Sequence, residues 1–176
     1  PPPVFFYNGD FSLCSAKKTA AVVGARNAGK EGLGIARRLA ETLSEKGYVI
    51  VSGGAVGIDT EAHRGTLKNG GKTVAVLGCG INIVYPRNNS SLFARIVEKG
   101  ALVTEMFPDA PPVQSFFPTR NRIIAALSDA VIFVEGTSRS GALITVKHAV
   151  KLKRPVFYFS SKAITLKDGS LKIKNI

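Results

Sequence analysis

Short apolar runs alternate with longer amphipathic segments along this chain. Residues 20–23, 49–51, 73–77, 102–103, 130–134 and 156–159 are apolar with little polar alternation, the pattern of strands covered on both faces. Between them the period lengthens. In residues 34–46, Ile35, Ala36, Leu39, Ala40 and Leu43 fall on one helical face, with Gly47 as a C-terminal cap. Residues 58–69, 88–98, 120–127 and 141–152 read as further helices. Strand and helix alternating in this way predict right-handed crossovers and a mainly parallel α/β sheet with helices on both faces. The expected organisation is a lead-in over residues 1–18, a single-domain core over 19–159, and a basic tail or extra strand over 160–176. The Pro-rich stretch 107–118 is expected to be a loop across the sheet edge.

Composition narrows the class. The chain has 176 residues and is 45% hydrophobic, enough for one domain with a real core. No apolar run approaches the roughly 18 residues of a membrane span, and no signal peptide is visible. The chain opens Pro-Pro-Pro without Met, as a piece of a longer protein would. Cys14 and Cys79 form no CxxC pair and read as reduced thiols of a cytoplasmic protein. The net charge is +12, from 24 basic and 12 acidic residues, which favours a polyanionic partner such as nucleic acid. Residues 147–176 hold eight of those basic residues against Asp168 alone, +7 of the total.

Candidate chemistry gathers in the turns that follow the strands. Gly24-Ala25-Arg26, Ser52-Gly53-Gly54, Gly78-Cys79-Gly80 and the segment from Glu135 to Gly141 all fall there. In parallel sheets, ligands bind at the carboxyl ends of the strands. Arg120, Asn121 and Arg122 open a helix whose next residues are apolar. Two guanidinium forks at a helix N-terminus make an anion site. Phe116, Phe117 and Tyr85 lie in loops of the same edge, where rings beside positive charge suit single-stranded bases. Packing under a long loop is the plainer role for those rings.

Other chemistries fit poorly. Gly24 to Lys30 reads G-x-x-x-x-G-K, but Glu31 stands where a Mg²⁺-binding hydroxyl is needed. No G-x-G-x-x-G supports a dinucleotide cofactor, and no His/Cys/Asp spacing supports a metal. His63 reads as structural or surface-exposed, and Asp59 as a helix cap. Ser140 is either a cap or a donor to phosphate. Glu105 and Glu135, each at a strand end, are expected to cap a helix or orient an Arg rather than act as bases. Neither a cofactor nor a catalytic group is expected.

In order along residues 4–159, several stretches resemble the DNA processing protein A family (DprA/Smf). They are Val22-Val23-Gly24-Ala25-Arg26, Ser52-Gly53-Gly54-Ala55-Val56-Gly57-Ile58-Asp59, Ala62-His63-Arg64-Gly65, Val74-Ala75-Val76-Leu77-Gly78-Cys79-Gly80, Val84-Tyr85-Pro86, Phe117-Pro118-Thr119-Arg120-Asn121-Arg122-Ile123-Ile124-Ala125 and Arg139-Ser140-Gly141-Ala142-Leu143-Ile144-Thr145. The resemblance implies a Rossmann-like core and a non-enzymatic cytoplasmic protein. Such a protein binds single-stranded DNA and loads a RecA-type recombinase onto it, chiefly in natural transformation. It also implies a homodimer formed near residues 145–159. Arg26, Arg120, Asn121, Arg122 and the backbone near Gly53 and Ser140 would line its DNA pocket. Family members often carry a helical domain before this core and a winged-helix domain after it, neither of which fits in 176 residues. The nucleic-acid site expected from residues and resemblance together comprises Gly24, Arg26, Ser52, Gly53, Phe117, Arg120, Asn121, Arg122, Ser140, Gly141 and Lys147. The alternatives are an enzyme like the LOG phosphoribohydrolases, whose P-G-G-x-G-T-x-x-E signature residues 134–141 lack, and a sensor of a small nucleotide.

Overall fold

A computed structural model describes residues 4–160, 163–166 and 172–173, with side chains over 4–159. Its strands are β1 (Phe6–Gly9), β2 (Thr19–Val23), β3 (Val49–Ser52), β4 (Thr73–Val76), β5 (Ala101–Thr104), β6 (Ala130–Phe133), β7 (Val156–Ser160), β8 (Ala163–Leu166) and β9 (Lys172–Ile173). Its helices are α1 (Lys30–Glu45), α2 (Ile58–Lys68), α3 (Ser90–Lys99), α4 (Phe116–Ala126) and α5 (Ala142–Lys151). One sheet runs in the order β1-β5-β4-β3-β2-β6-β7-β8-β9. The six strands from β5 to β7 are parallel, while β1, β8 and β9 join antiparallel at the two ends.

The missing alternation in the strands has a direct cause. Along β2, Ala20 and Val22 pack with Ile35, Leu39 and Ile58 on one face. Ala21 and Val23 pack with Ile123, Ile124 and Val146 on the other. Helices α1 to α3 therefore cover one side and α4 with α5 the other, so every position of the strand is interior. The α1 stripe of Ile35, Ala36, Leu39 and Ala40 is buried as its spacing predicts.

The largest differences from the sequence expectation lie at three places. Helix α1 begins at Lys30 rather than residue 34; Gly32 of its first turn is buried against the Glu135 side chain, where an added Cβ would not fit. Helix α4 begins at Phe116 rather than Arg120. Pro118 is no barrier there, since a first-turn residue has no intrahelical N–H bond to lose. The lead-in holds β1, whose register pairs Phe6 with Thr104 and Gly9 with Ala101. Three of its four residues are exposed, and the apolar run over residues 4–7 that enters it marks a strand the expected lead-in left out.

The strand order places the functional edge. From β2 the chain winds outward through β3, β4 and β5, and then returns to lay β6 against the opposite side of β2. Turns leaving β2 and β6 thus diverge and open a crevice at the carboxyl edge, the usual ligand position in such sheets.

Candidate nucleic-acid interface

A cleft of about 480 Å³ occupies that crevice. Its walls come from Val23 to Asn27 after β2, Ala55 and Asp59 around the start of α2, Phe117, Pro118, Arg120, Asn121 and Ile124 of α4, and Thr137 with Arg139 to Ala142 before and within α5. A smaller space of about 40 Å³ adjoins it, bounded by Arg26, Gly53, Gly78, Tyr85, Phe117 and Arg120 among others.

Arg120 forms the floor between the two. It is only 5% exposed. Its Nη1 donates to the Gly53 carbonyl at 2.6 Å and to the Val76 carbonyl, and its Nε donates to Asn121 Oδ1 at 3.2 Å. Those carbonyls end β3 and β4, so the planar guanidinium ties two strand ends together. Asp59 Oδ2 accepts the Gly53 N–H at 3.1 Å. Guanidinium and carboxylate thus close over one residue. A Cβ at Gly53 would lie 2.6 Å from Arg120 Nη2 and 2.6 Å from Asp59 Oδ2, and this close approach is why glycine stands there. Burial pushes Arg120 down to about 10, against the pull of Asp59. Burial pushes Asp59 up, against the charge of Arg120.

This corrects the expected geometry of the Arg-Asn-Arg run. Because α4 starts at Phe116, all three residues sit in its second turn, and the free N–H groups of the helix start belong to residues before them. Arg122 turns away from the cleft and pairs with Glu105 at the end of β5. Asn121 Nδ2 donates to the Gly141 carbonyl at 3.1 Å, fixing the entry of α5 against α4.

The other expected residues divide as follows. Gly24, Arg26, Phe117, Ser140 and Gly141 line the main cleft, and Gly53 lines the adjoining space. Ser52 does not reach it; its buried hydroxyl donates to the Val22 carbonyl at 2.7 Å and lashes β3 to β2. Lys147 is exposed on α5 and is not among the lining residues. Arg139, absent from the expected set, does line the cleft beside the Ser140-Gly141 turn. Its signal was present, since it opens the Arg139-to-Thr145 stretch. The expected basic tail includes Lys162, Lys167 and Lys174, which lie outside the described residues.

Arg26 is exposed, and its guanidinium carbon stands 5.3 Å from the centre of the Phe117 ring. Tyr85 lies 5.5 Å from the same ring at 42°. Gly141 caps α5 without a side-chain bond, so Ser140 is not its cap, although the Ser140 carbonyl accepts the Leu143 N–H at 3.0 Å. The positive end of α5 opens on the cleft beside Arg139 and Arg26.

The acidic groups are engaged structurally. Glu135 Oε1 accepts the Gly29 N–H at 2.9 Å, so this carboxylate occupies the start of α1, where a Walker-type phosphate would sit. Asp59 lies in the first turn of α2, favourable for the dipole, while its carboxylate serves the Gly53 turn instead of a cap. His63 is fully buried, with Nδ1 2.7 Å from Thr73 Oγ1. Burial, with the Arg120 charge second, pushes it down to about 3. Among the described residues, no group of three or more His, Cys, Asp or Glu side chains gathers as metal ligands, and no helix is long and apolar enough to cross a membrane.

The family model described as DNA recombination-mediator protein A matches residues 1–173. The DNA processing protein DprA of Streptococcus pneumoniae is 41% identical over 169 residues, covering 96% of this chain and 59% of that protein. Its X-ray structure superimposes with a TM-score of 0.85 over 96% of this chain and 58% of that chain, at 40% identity. DNA processing protein A of Helicobacter pylori, whose structure concerns its single-stranded DNA binding mode, gives 0.86 at 31% identity, covering 92% of this chain and 74% of that one. A molybdenum cofactor binding protein of Rippkaea orientalis gives 0.61 at 26%, covering 81% and 76%. The chain spans about half the length of the curated relatives it matches.

Proposed function

The chain belongs to the DNA recombination-mediator protein A family, and from that premise we propose that its cleft grips single-stranded DNA without cutting or modifying it. The observation that carries this reading is the convergence of Arg26, Arg139, the buried charge of Arg120 and the start of α5 on one crevice. The nearby carboxylates support it. Glu135, Glu105 and Asp59 each have a structural partner, a helix start, an Arg or a turn.

The residues facing the strand are Gly24, Arg26, Ser140 and Gly141, with Arg139 added, and Gly53, Phe117 and Asn121 shape the surface they stand on. Arg120, Ser52 and Arg122 act beneath or beside them by holding the walls. Lys147 serves, on this reading, as an outlying phosphate contact on α5. A cleft walled by the turn after β2, by α4 and by the start of α5 admits a single flexible strand more readily than a stiff duplex. In the cell the bound strand is delivered to a RecA-type recombinase during DNA uptake and recombination. The setting is the cytoplasm, and the working form is a homodimer that uses α5 and β7, where Val150 and Leu152 are exposed. The organisation carried forward is the core over 19–159, flanked by the lead-in and the basic tail.

Fluorescence anisotropy with single- and double-stranded oligonucleotides at about 50 and about 200 mM salt tests this reading. Binding should favour the single strand and weaken with salt, at a log–log slope of about 0.7 per phosphate contacted. Equal affinity for duplex, or binding insensitive to salt, would refute it. The likeness to a molybdenum cofactor binding protein favours a second reading, a sensor of a small phosphorylated heterocycle. Displacement of the strand by a free mononucleotide at micromolar level would shift the weight there.

A further inference from the structure

Phe117 is poorly placed to receive a base. Arg26 covers its ring from 5.3 Å, and Tyr85 packs against it at 5.5 Å. Its edge rests on the backbone of Gly78, where an added Cβ would meet Cδ1 at 2.6 Å. The ring is therefore only partly exposed, although it borders both the main cleft and the smaller space. Arg26, in contrast, is exposed over that ring, while Tyr85, 40% exposed, meets the ring tilted at 42°.

The geometry points to the guanidinium plane of Arg26, carried over Phe117 with Tyr85 beside the ring, as the surface on which a base stacks in this cleft. The inference rests on the cleft being a single-strand site. A guanidinium is planar and accepts a base on its face. Its N–H groups point outward in that same plane and remain free to meet phosphate. One side chain thus serves both chemistries, with no discrimination among bases, since every base has a face to offer. The aromatic ring beneath supplies the cation–π attraction that orients it. Phe117 is then a positioning residue, acting through Arg26.

The test compares oligo-dT with an abasic strand of equal length, so that the ratio of the two affinities reports base stacking alone. Arg26→Lys keeps the charge and removes the plane, and should lower that ratio about three- to tenfold. Phe117→Leu should lower it about threefold in the parent and change it little in the Arg26→Lys background. Phe117→Tyr should restore it. A ratio unchanged in Arg26→Lys, or a Phe117→Leu loss of equal size in both backgrounds, overturns the assignment and returns the base to the phenyl ring. If Phe117→Leu fails to fold, Tyr85→Leu carries the same comparison at a side chain that is 40% exposed. Failure of the parent to bind either strand would instead refute the single-strand reading itself.

Discussion

The side chains beneath the cleft are set by hydrogen-bond arithmetic. Thr73 Oγ1 donates its only proton to the Ile50 carbonyl at 2.6 Å, so its bond with His63 requires Nδ1 to be the donor. The lone pair of His63 then sits on Nε2, which is buried without a partner. Protonation there would create a buried charge near Arg120, and the imidazole is held neutral. Because the folded value near 3 lies below the ordinary 6.5, the unfolded chain takes the proton first. Stability is intact above pH 6.5 and declines as pH falls toward 3. The limiting slope is about 1.4 kcal/mol per pH unit. Thermal melts between pH 7.5 and 5 should show this decline, and His63→Gln should flatten it while lowering the melting temperature at pH 7.5. Arg120 obeys the same logic from the other side. Arg120→Ala removes a buried cation and leaves Asp59 uncompensated, so urea unfolding should show a loss of about 3–5 kcal/mol. Gly53→Ala should cost about 1–3 kcal/mol, because its Cβ overlaps both groups. Wild-type stability in either variant would contradict the clamp.

At the level of elements, the helix starts decide which anions the protein can hold. The start of α1 carries the G-x-x-x-x-G-K run, yet it is closed by the Glu135 carboxylate from the far side of the β2–β6 pair. Among the described residues, no side chain caps the start of α5, which faces the cleft. Sequence spacing alone rates the two helix starts alike. Glu135→Ala should destabilise the protein by about 1 kcal/mol through loss of this cap, measurable as a lower urea midpoint. Full stability in that variant would mean that the Gly29 N–H gains nothing from the carboxylate. Within α4 the buried face of Ile123, Ile124 and Ala125 fixes the rotation of the helix. That rotation sends Arg120 inward under the cleft and Arg122 toward Glu105.

For the whole molecule, the site exists only where the strand order reverses. Ligand in that crevice would bridge the turns after β2 and β6 with α4 and α5, so binding should stabilise the sheet as a unit. Oligo-dT at 100 times its dissociation constant should raise stability by about 2.7 kcal/mol. A melting temperature unmoved by saturating strand would show that the groups binding it are not part of the cooperative core.

The sequence by itself determined the elements and much of the site's membership. Apolar runs without alternation fixed six strands, because a strand covered on both faces cannot tolerate polar positions. The glycine turns and Arg26 were legible as chemistry because a backbone that must approach a ligand, and a charge exposed at a strand end, leave marks on single positions. Strand β1 carries the apolar run over residues 4–7, yet three of its four residues are exposed, so it lacks the two-sided burial that marks the inner strands. The roles within the site were decided by tertiary structure alone. Whether an arginine grips a phosphate or two carbonyls depends on which groups from distant segments share its surroundings. Gly53 and Val76 lie 67 and 44 residues from Arg120, and Glu135 lies 106 from Gly29. Local pattern reports on neighbours a few residues away, whereas these contacts are set by how the sheet is wound.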